Sequence, residues 1–290
     1  MTSAPMYSPP VIPSSFLEKT MVETQCFQVD GGKSTLVVGL SGIRVTLSAL
    51  ACRHATGQIP SGDIRLELTE LVNKGEMIAA GMSNAAENHL LESAVVFHLQ
   101  AYAADGSFLF FETPIEVDIP IDESRYNPLA FQLYCAGQSS LQSFTASSAL
   151  PNWKKAAPGK LSLRRIHGRM YVHGAISSTG WWNCATPVSV KGKQYMISAK
   201  CIFPEPVAGA QMTAFLALHR SNTVMRMYEG KHHFSSFNVP LKLPARVLAV
   251  GQVGDKLYFS ETLLKSSQVF YYLYMQEVDT ASLAAFLNKL

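Results

Sequence analysis

Residues 64–71 read IRLELTEL, and apolar and polar side chains alternate in this stretch from Ile64 to Thr69. Successive side chains of a β-strand point to opposite faces of the sheet, so this alternation is typical of a strand with one buried face. Similar short runs recur throughout residues 24–122, and turn sequences such as Asp30-Gly31-Gly32 separate them. The pattern predicts a β-sandwich of about seven or eight strands.

Strand-like runs resume in the second half of the chain, and only its last residues have helical spacing. There Thr280 is a plausible N-cap, and Leu283 and Leu287 recur one turn apart behind it. We therefore predict a mostly β protein of two sandwich-like antiparallel domains with a short C-terminal helix. The predicted segments are a flexible Pro- and Ser-rich arm (1–23), a first β-sandwich domain (24–122), a connector (123–159) and a second β-rich domain (160–290).

Charge is distributed unequally along the chain. Residues 1–145 carry 7 Lys and Arg against 15 Asp and Glu, and the rest carry 17 against 6, out of 24 and 21 in all. Such asymmetry bears on association and not on fold. Two interpretations remain open: the halves attract each other within one molecule, or they attract head to tail between molecules, which gives rings or filaments.

Composition and targeting signals narrow the class of protein. A hydrophobic fraction of 48% with 16% charged residues excludes a disordered chain, a collagen or a coiled coil. The opening MTSAPMYSPPVIPSSFLEK does not fit a secretory signal, and no apolar run of about 18 residues predicts a membrane span. Five cysteines without a C-x-x-C motif favour a reducing, cytoplasmic location. They are Cys26, Cys52, Cys135, Cys184 and Cys201.

No motif in the chain predicts an enzyme. Gly31-Gly32-Lys33-Ser34-Thr35 imitates the end of a phosphate-binding loop, but Phe27 stands where the first glycine belongs. His167 and His173 share a strand face without Asp, Glu or Cys close by in sequence, so a zinc site is not indicated. We predict no catalytic residue, no metal ligand and no cofactor.

Two clusters are candidates for binding a partner. Basic residues gather near Trp153 and Tyr171, which are also the ingredients of a nucleic-acid surface. The acidic first half argues against nucleic acid, so we expect an acidic protein surface as the partner. Adjacent tryptophans form the second cluster, and in a strand one of them must face away from the core. The candidates are Lys154, Lys155, Arg164, Arg165, Arg169, Trp181 and Trp182.

Seven segments of the chain follow one another in a familiar order. They are Ser41–Ala49, Ser61–Leu68, Met77–Met82, Leu91–Ala101, Pro114–Pro120, Gly180–Cys184 and Val239–Leu264. Together they resemble an uncharacterised bacterial family of two-domain β-sandwich proteins, whose first domain is similar to the spectrin-binding sandwich of ankyrins and netrin receptors. The resemblance implies a noncatalytic scaffold or adhesion-like module and gives no catalytic residues to transfer.

These observations predict a noncatalytic structural or interaction subunit of a larger intracellular bacterial or phage-derived assembly. It would dock on other subunits, or head to tail on itself, through complementary acidic and basic surfaces. The alternative is a carbohydrate-binding module that uses Trp181 or Trp182 as a platform. An enzyme would need a cleft that brings distant histidines and carboxylates together.

Overall fold

The computed structural model describes residues 22–86, 89–136, 153–156, 161–188, 193–205, 209–240, 243–265 and 268–290. Most of these residues lie in β-strands, and a short helix stands at the C-terminus, so the predicted fold class is confirmed. The predicted N-terminal arm lies outside the described residues except for its last two positions.

The strands are numbered in chain order. The first ten are β1 (Thr24–Asp30), β2 (Thr35–Val38), β3 (Arg44–Leu47), β4 (Cys52–Arg53), β5 (Asp63–Leu71), β6 (Leu91–Tyr102), β7 (Phe108–Phe111), β8 (Ile115–Ile121), β9 (Gln132–Ala136) and β10 (Trp153–Lys155). The next six are β11 (Ser162–Ile166), β12 (Arg169–Ile176), β13 (Gly180–Pro187), β14 (Gln194–Ile202), β15 (Gln211–Leu218) and β16 (Val224–Arg226). The last six are β17 (Tyr228–Glu229), β18 (Phe234–Pro240), β19 (Ala245–Val253), β20 (Lys256–Leu263), β21 (Phe270–Tyr274) and β22 (Gln276–Val278). The helices are α1 (Lys74–Ala79) and α2 (Thr280–Leu287), and a short 3-10 helix covers Pro128–Ala130.

The strands form four sheets, which we number by their position in the stack. Sheet I has the order β11-β12-β8-β3-β2, and sheet II has the order β1-β5-β6-β13-β9-β10 with β7 and β4 at one side. Sheet III has the order β16-β15-β19-β20-β22, and sheet IV has the order β17-β18-β14-β21. Neighbouring strands are antiparallel, except that β14 and β21 run parallel.

Three hydrophobic cores hold the sheets in the order I, II, III, IV. Core 1 lies between sheets I and II and includes Val117 and Phe97. Core 2 lies between sheets II and III, with the two helices contributing Met77 and Leu283. Core 3 lies between sheets III and IV. The central strands of sheet II are consequently covered on both faces, whereas its edge strands β1 and β10 keep exposed residues, and sheets I and IV each keep one outer face.

The sheets do not divide where the sequence predicts a domain boundary. Strand β12 pairs with β8 in sheet I, and β13 pairs with β6 and β9 in sheet II, although both strands follow residue 160. The predicted connector also supplies β9 and β10 to sheet II. By strand pairing, sheets I and II end at Pro187 and sheets III and IV begin at Gln194. Alternation shows which face of a strand is buried, but it does not show which strand lies beside it.

Helix α1 lies within residues 24–122, for which the sequence predicts strands. The Asn73 side chain accepts a hydrogen bond from the Glu76 backbone, and the Glu76 carboxylate accepts one from the Asn73 backbone in return. This capping box starts the helix, and Met77 and Ile78 are buried in core 2. At α2 the N-cap is Asp279 instead of the predicted Thr280, because the Asp279 carboxylate accepts from the Ser282 backbone at 2.9 Å.

Buried polar side chains join sheet II to sheet III. The Asn222 amide donates to the Ser93 carbonyl at 2.9 Å, and the Thr223 hydroxyl donates to the Leu91 carbonyl at 2.9 Å. The Asn84 side chain accepts from the Val224 backbone at 3.1 Å. Because buried polar groups need partners, these contacts fix how the two halves of the stack meet.

Candidate functional site

Arg164, one of the predicted basic residues, is engaged within its own molecule on the outer face of sheet I. Its Nη2 lies 2.9 Å from Nε2 of His173, and His173 Nδ1 lies 2.9 Å from Oδ1 of Asp118. Arg164 Nη1 lies 3.7 Å from the same Asp118 oxygen. A guanidinium only donates, so His173 accepts at Nε2 and carries its proton at Nδ1, towards Asp118.

The other predicted basic residues are spread over two sheets. Arg165 Nη2 donates to both carboxylate oxygens of Glu123 at 2.9 Å, and Arg169 is exposed with its guanidinium 6.0 Å from the Tyr171 ring centroid. Lys154 and Lys155 are exposed on β10, the edge strand of sheet II. The structure therefore places the three arginines on β11 and β12 of sheet I and the two lysines on the neighbouring sheet.

The adjacent tryptophans both pack into the interior. Trp182 is 2% exposed in core 1, and its Nε1 donates to the Ser178 carbonyl at 3.0 Å. Trp181 packs at core 2, where its ring centroid lies 5.0 Å from that of His98. One tryptophan faces away from core 1, as expected for consecutive residues of a strand, but that residue, Trp181, packs against core 2 and is partly buried. Trp182 cannot stack on a sugar without leaving core 1.

The outer face of sheet IV carries exposed aromatic side chains that were not predicted from the sequence, and the exposed Lys200 lies beside Tyr272. We call this surface the aromatic face. Tyr272 and Tyr274 on β21 are 55% and 66% exposed, and the Phe270 and Tyr272 ring centroids lie 5.2 Å apart. The Tyr228 and Phe237 centroids lie 5.9 Å apart. The aromatic face consists of Met196, Tyr228, Phe237, Phe270, Tyr272 and Tyr274.

A cavity of about 350 Å³ opens beside the aromatic face. Tyr228 and Phe237 belong both to the aromatic face and to the lining of the cavity. The polar residues around it come from the loop before β6, from the start of β14, from β16 and from β18, and they are Ser83, His89, Gln194, Arg226, Ser236 and Asn238. These positions are widely separated in the chain, so sequence alone gave no signal for the cavity. The aromatic face did leave a signal, because residues 270–274 read FYYLY without a charged residue.

Arg226 brings positive charge to this cavity. The residue is buried at the end of β16, and burial lowers the pKa of its guanidinium. The nearby Glu229 carboxylate acts in the opposite direction and is the weaker influence. Burial in turn raises the pKa of Glu229. The wall therefore contains a cation that is partly removed from water.

A β-bulge shapes the opposite wall of the cavity. The register between β14 and β18 shifts between Tyr195 and Ile197, opposite Phe237 and Asn238. Asn238 has a φ of 58°, in the left-handed region that few residues other than glycine adopt. Bulges and strained backbone of this kind concentrate beside binding sites. Here the bulge brings the Asn238 residue to the cavity while Phe237 stays exposed.

The thiols and acidic groups do not form a reactive cluster. Burial raises the pKa of Cys52 to about 11 and of Cys201 to about 12, and it also raises the pKa of Cys184. A thiol with a raised pKa is a poor nucleophile at neutral pH. Within the described ranges, no three His, Cys, Asp or Glu side chains come together as metal ligands would.

No protein-family model matches the chain, and no curated protein is significantly similar to it. In the part of the chain that the structure describes, no helix combines the length and the apolar character needed to cross a bilayer.

Proposed function

We propose that the protein is a noncatalytic structural or interaction subunit and that it docks through the aromatic face. The observation that supports this proposal is the exposure of six large apolar side chains on one outer sheet. The solvent-facing side of an antiparallel sheet is normally polar. Exposed apolar side chains that are grouped on one face and accompanied by polar residues such as Lys200 are typical of a protein–protein interface.

The size of the aromatic face suits a stable interface. A half-exposed aromatic side chain presents on the order of 100 Å² to solvent. Six such residues on each of two partners would then bury on the order of 1,200 Å², which is within the range of specific complexes. Two sheets that pack face to face lie about 10 Å apart and interdigitate such side chains.

We propose a second copy of the chain as the partner. The outer face of sheet I exposes Leu36 and Val38 at its β2 edge, but elsewhere it is charged, and its Asp118, His173 and Arg164 already contact one another. A head-to-tail stack would press aromatic rings onto that network and remove its charges from water, which is costly. Packing the aromatic face against its own copy avoids that cost and gives a two-fold, self-complementary interface.

Light scattering on the full chain at low and high salt tests this proposal. We expect a dimer whose mass does not fall at high salt, because apolar association is not screened by ions. Tyr272→Lys should give a monomer, since it places one positive charge per copy at the centre of β21. Leu40→Lys is the matched control, because Leu40 is 75% exposed in the turn between β2 and β3 and should leave the dimer unchanged.

The remaining outcomes discriminate between partners. A wild-type monomer at both salt concentrations would rule out the second copy. An oligomer that dissociates at high salt would favour the charged docking predicted from the sequence, with Lys154, Lys155, Arg164, Arg165 and Arg169 as its basic surface. In that case the triple variant of Arg164, Arg165 and Arg169 to Glu should dissociate it, whereas Tyr272→Lys should not.

A further inference from the structure

We propose that the cavity beside the aromatic face binds a small organic anion and that Arg226 contacts its carboxylate. This site is distinct from the docking surface, although Tyr228 and Phe237 border both. Small-molecule sites are concave, with apolar walls and a few convergent polar groups, in cavities of about 300 to 1,000 Å³. The volume of about 350 Å³ and the mixed lining meet this description.

The charge of the cavity wall favours an anion. Arg226 is buried there and also interacts within the protein. A guanidinium has five N–H donors in a planar fork, so it can bind a carboxylate in addition to partners within the chain. Among the described residues, the Glu229 carboxylate influences Arg226, and Glu229 lies outside the cavity lining. His89 is the titratable imidazole on that lining.

The remaining lining residues suit an organic anion better than an inorganic one. Gln194 and Asn238 offer amides that can donate to oxygen atoms of the ligand, and Ser236 offers a hydroxyl. Leu90, Val188 and Met225 supply apolar wall. Phe237 and Tyr228 stand at the opening, where their rings can cover an apolar or cyclic body. The predicted ligand therefore has one carboxylate and a compact, partly apolar body.

A charged and a neutral probe of the same shape test the site in the full chain. Benzoate and benzamide differ in charge and hardly in size, so titration calorimetry can compare them directly. We expect benzoate to bind at least tenfold more tightly than benzamide. Arg226→Gln should lower benzoate affinity at least tenfold, and Arg220→Gln, which removes an exposed positive charge outside the lining, should not change it.

Two further variants keep the test decisive. If Arg226→Gln fails to fold, Gln194→Leu should still weaken benzoate binding, because Gln194 is exposed at the start of β14 and lines the cavity. Tyr272→Lys should bind benzoate as the wild type does, so a failure of the dimer and a failure of this site are separable. Equal binding of both probes, no binding of benzoate at 10 mM, or full affinity in Arg226→Gln would each overturn the proposal.

Discussion

Asn183 has a buried side-chain amide that forms no hydrogen bond among the described residues. It lies on β13, where Val96 and Tyr134 are its cross-strand neighbours, and it is fully buried. Neither the oxygen nor the nitrogen of its amide has a hydrogen-bond partner among the described residues. Such a group costs about 1 to 3 kcal/mol relative to an apolar one. Paired residues on neighbouring strands share a face of the sheet. Because Val96 and Tyr134 belong to core 2, the Asn183 side chain faces core 2 as well.

We expect Asn183→Leu to raise the free energy of unfolding by about 1 kcal/mol, because a leucine of similar shape removes the unpaired amide. Asn84→Leu is the matched control, since Asn84 is equally buried and bonds to Ser93 and to the Val224 backbone. That change should lower the free energy of unfolding by about 2 kcal/mol. Urea denaturation measures both, and a loss of stability in Asn183→Leu would contradict the prediction.

His98 should make the protein less stable in acid. Burial lowers the pKa of its imidazole from the ordinary 6.5 to about 4. Between these values the unfolded chain binds a proton that the folded chain does not, so the free energy of unfolding falls as pH falls from 6.5 to 4. Allowing for the part of the ring that stays exposed, we expect a loss of about 2 kcal/mol.

Urea denaturation at pH 7.5 and pH 4.5 measures this loss in the wild type and in His98→Gln. The variant should lose less stability between the two pH values, because glutamine does not titrate. His232→Gln, which removes an exposed histidine in the bend between β17 and β18, should keep the wild-type difference. An equal loss in the wild type and in His98→Gln would assign the acid sensitivity to other groups.

Among the elements, α1 and α2 make an unusually close contact. A Cβ atom on Gly75, in the first turn of α1, would collide with the backbone carbonyl of Leu287 at the end of α2. A flexible side chain could relieve such a collision by changing its rotamer, but a backbone carbonyl can move only together with its helix. The absence of a side chain at Gly75 therefore sets the distance between the helices.

We expect Gly75→Ala to destabilise the protein by about 1 to 3 kcal/mol, because the helices must separate. Helix propensity alone predicts the opposite sign, a gain of about 1 kcal/mol. Gly32→Ala is the control, since its Cβ would meet the flexible carboxylate of Asp30 at 3.3 Å and should change stability little. Thermal unfolding measures both variants, and a stabilised Gly75→Ala would show that the helices can move apart freely.

The elements also show what the sequence can predict. Strands such as β5 and β12 were predictable to within a residue or two, because half-buried strands alternate in polarity. Helix α1 was not, because a six-residue helix is too short to show a period and depends on the Asn73 cap. The aromatic face could have been suspected from residues 270–274, whereas the cavity depends on pairing between distant strands and could not.

For the whole molecule, core 2 is shared by sheets II and III. It therefore implies that sheets I and II unfold together with sheets III and IV. Sheets II and III bury apolar side chains against each other, and the Asn84, Asn222 and Thr223 contacts join them. Separating sheets II and III would expose core 2 to water. We therefore expect that neither pair of sheets stays folded when the other unfolds.

We expect one urea transition for probes in different layers. Tryptophan fluorescence reports on sheet II, which holds Trp153, Trp181 and Trp182. Pulsed thiol labelling of Cys201, a partly buried residue of β14, reports on sheet IV. The two midpoints should coincide within error. Two separate midpoints would show that the halves are independently stable.

Strand β13 has a consequence for the kinds of genetic change that the protein can accept. Its consecutive residues Trp181 and Trp182 belong to different cores, because sheet II is covered on both sides. Deleting one codon from this strand would send each following side chain into the wrong core. A strand with one solvent-facing side would place its shifted apolar residues in water, whereas β13 would place side chains that fit one core into the other. The length of β13 should therefore be fixed even where its residue types can vary.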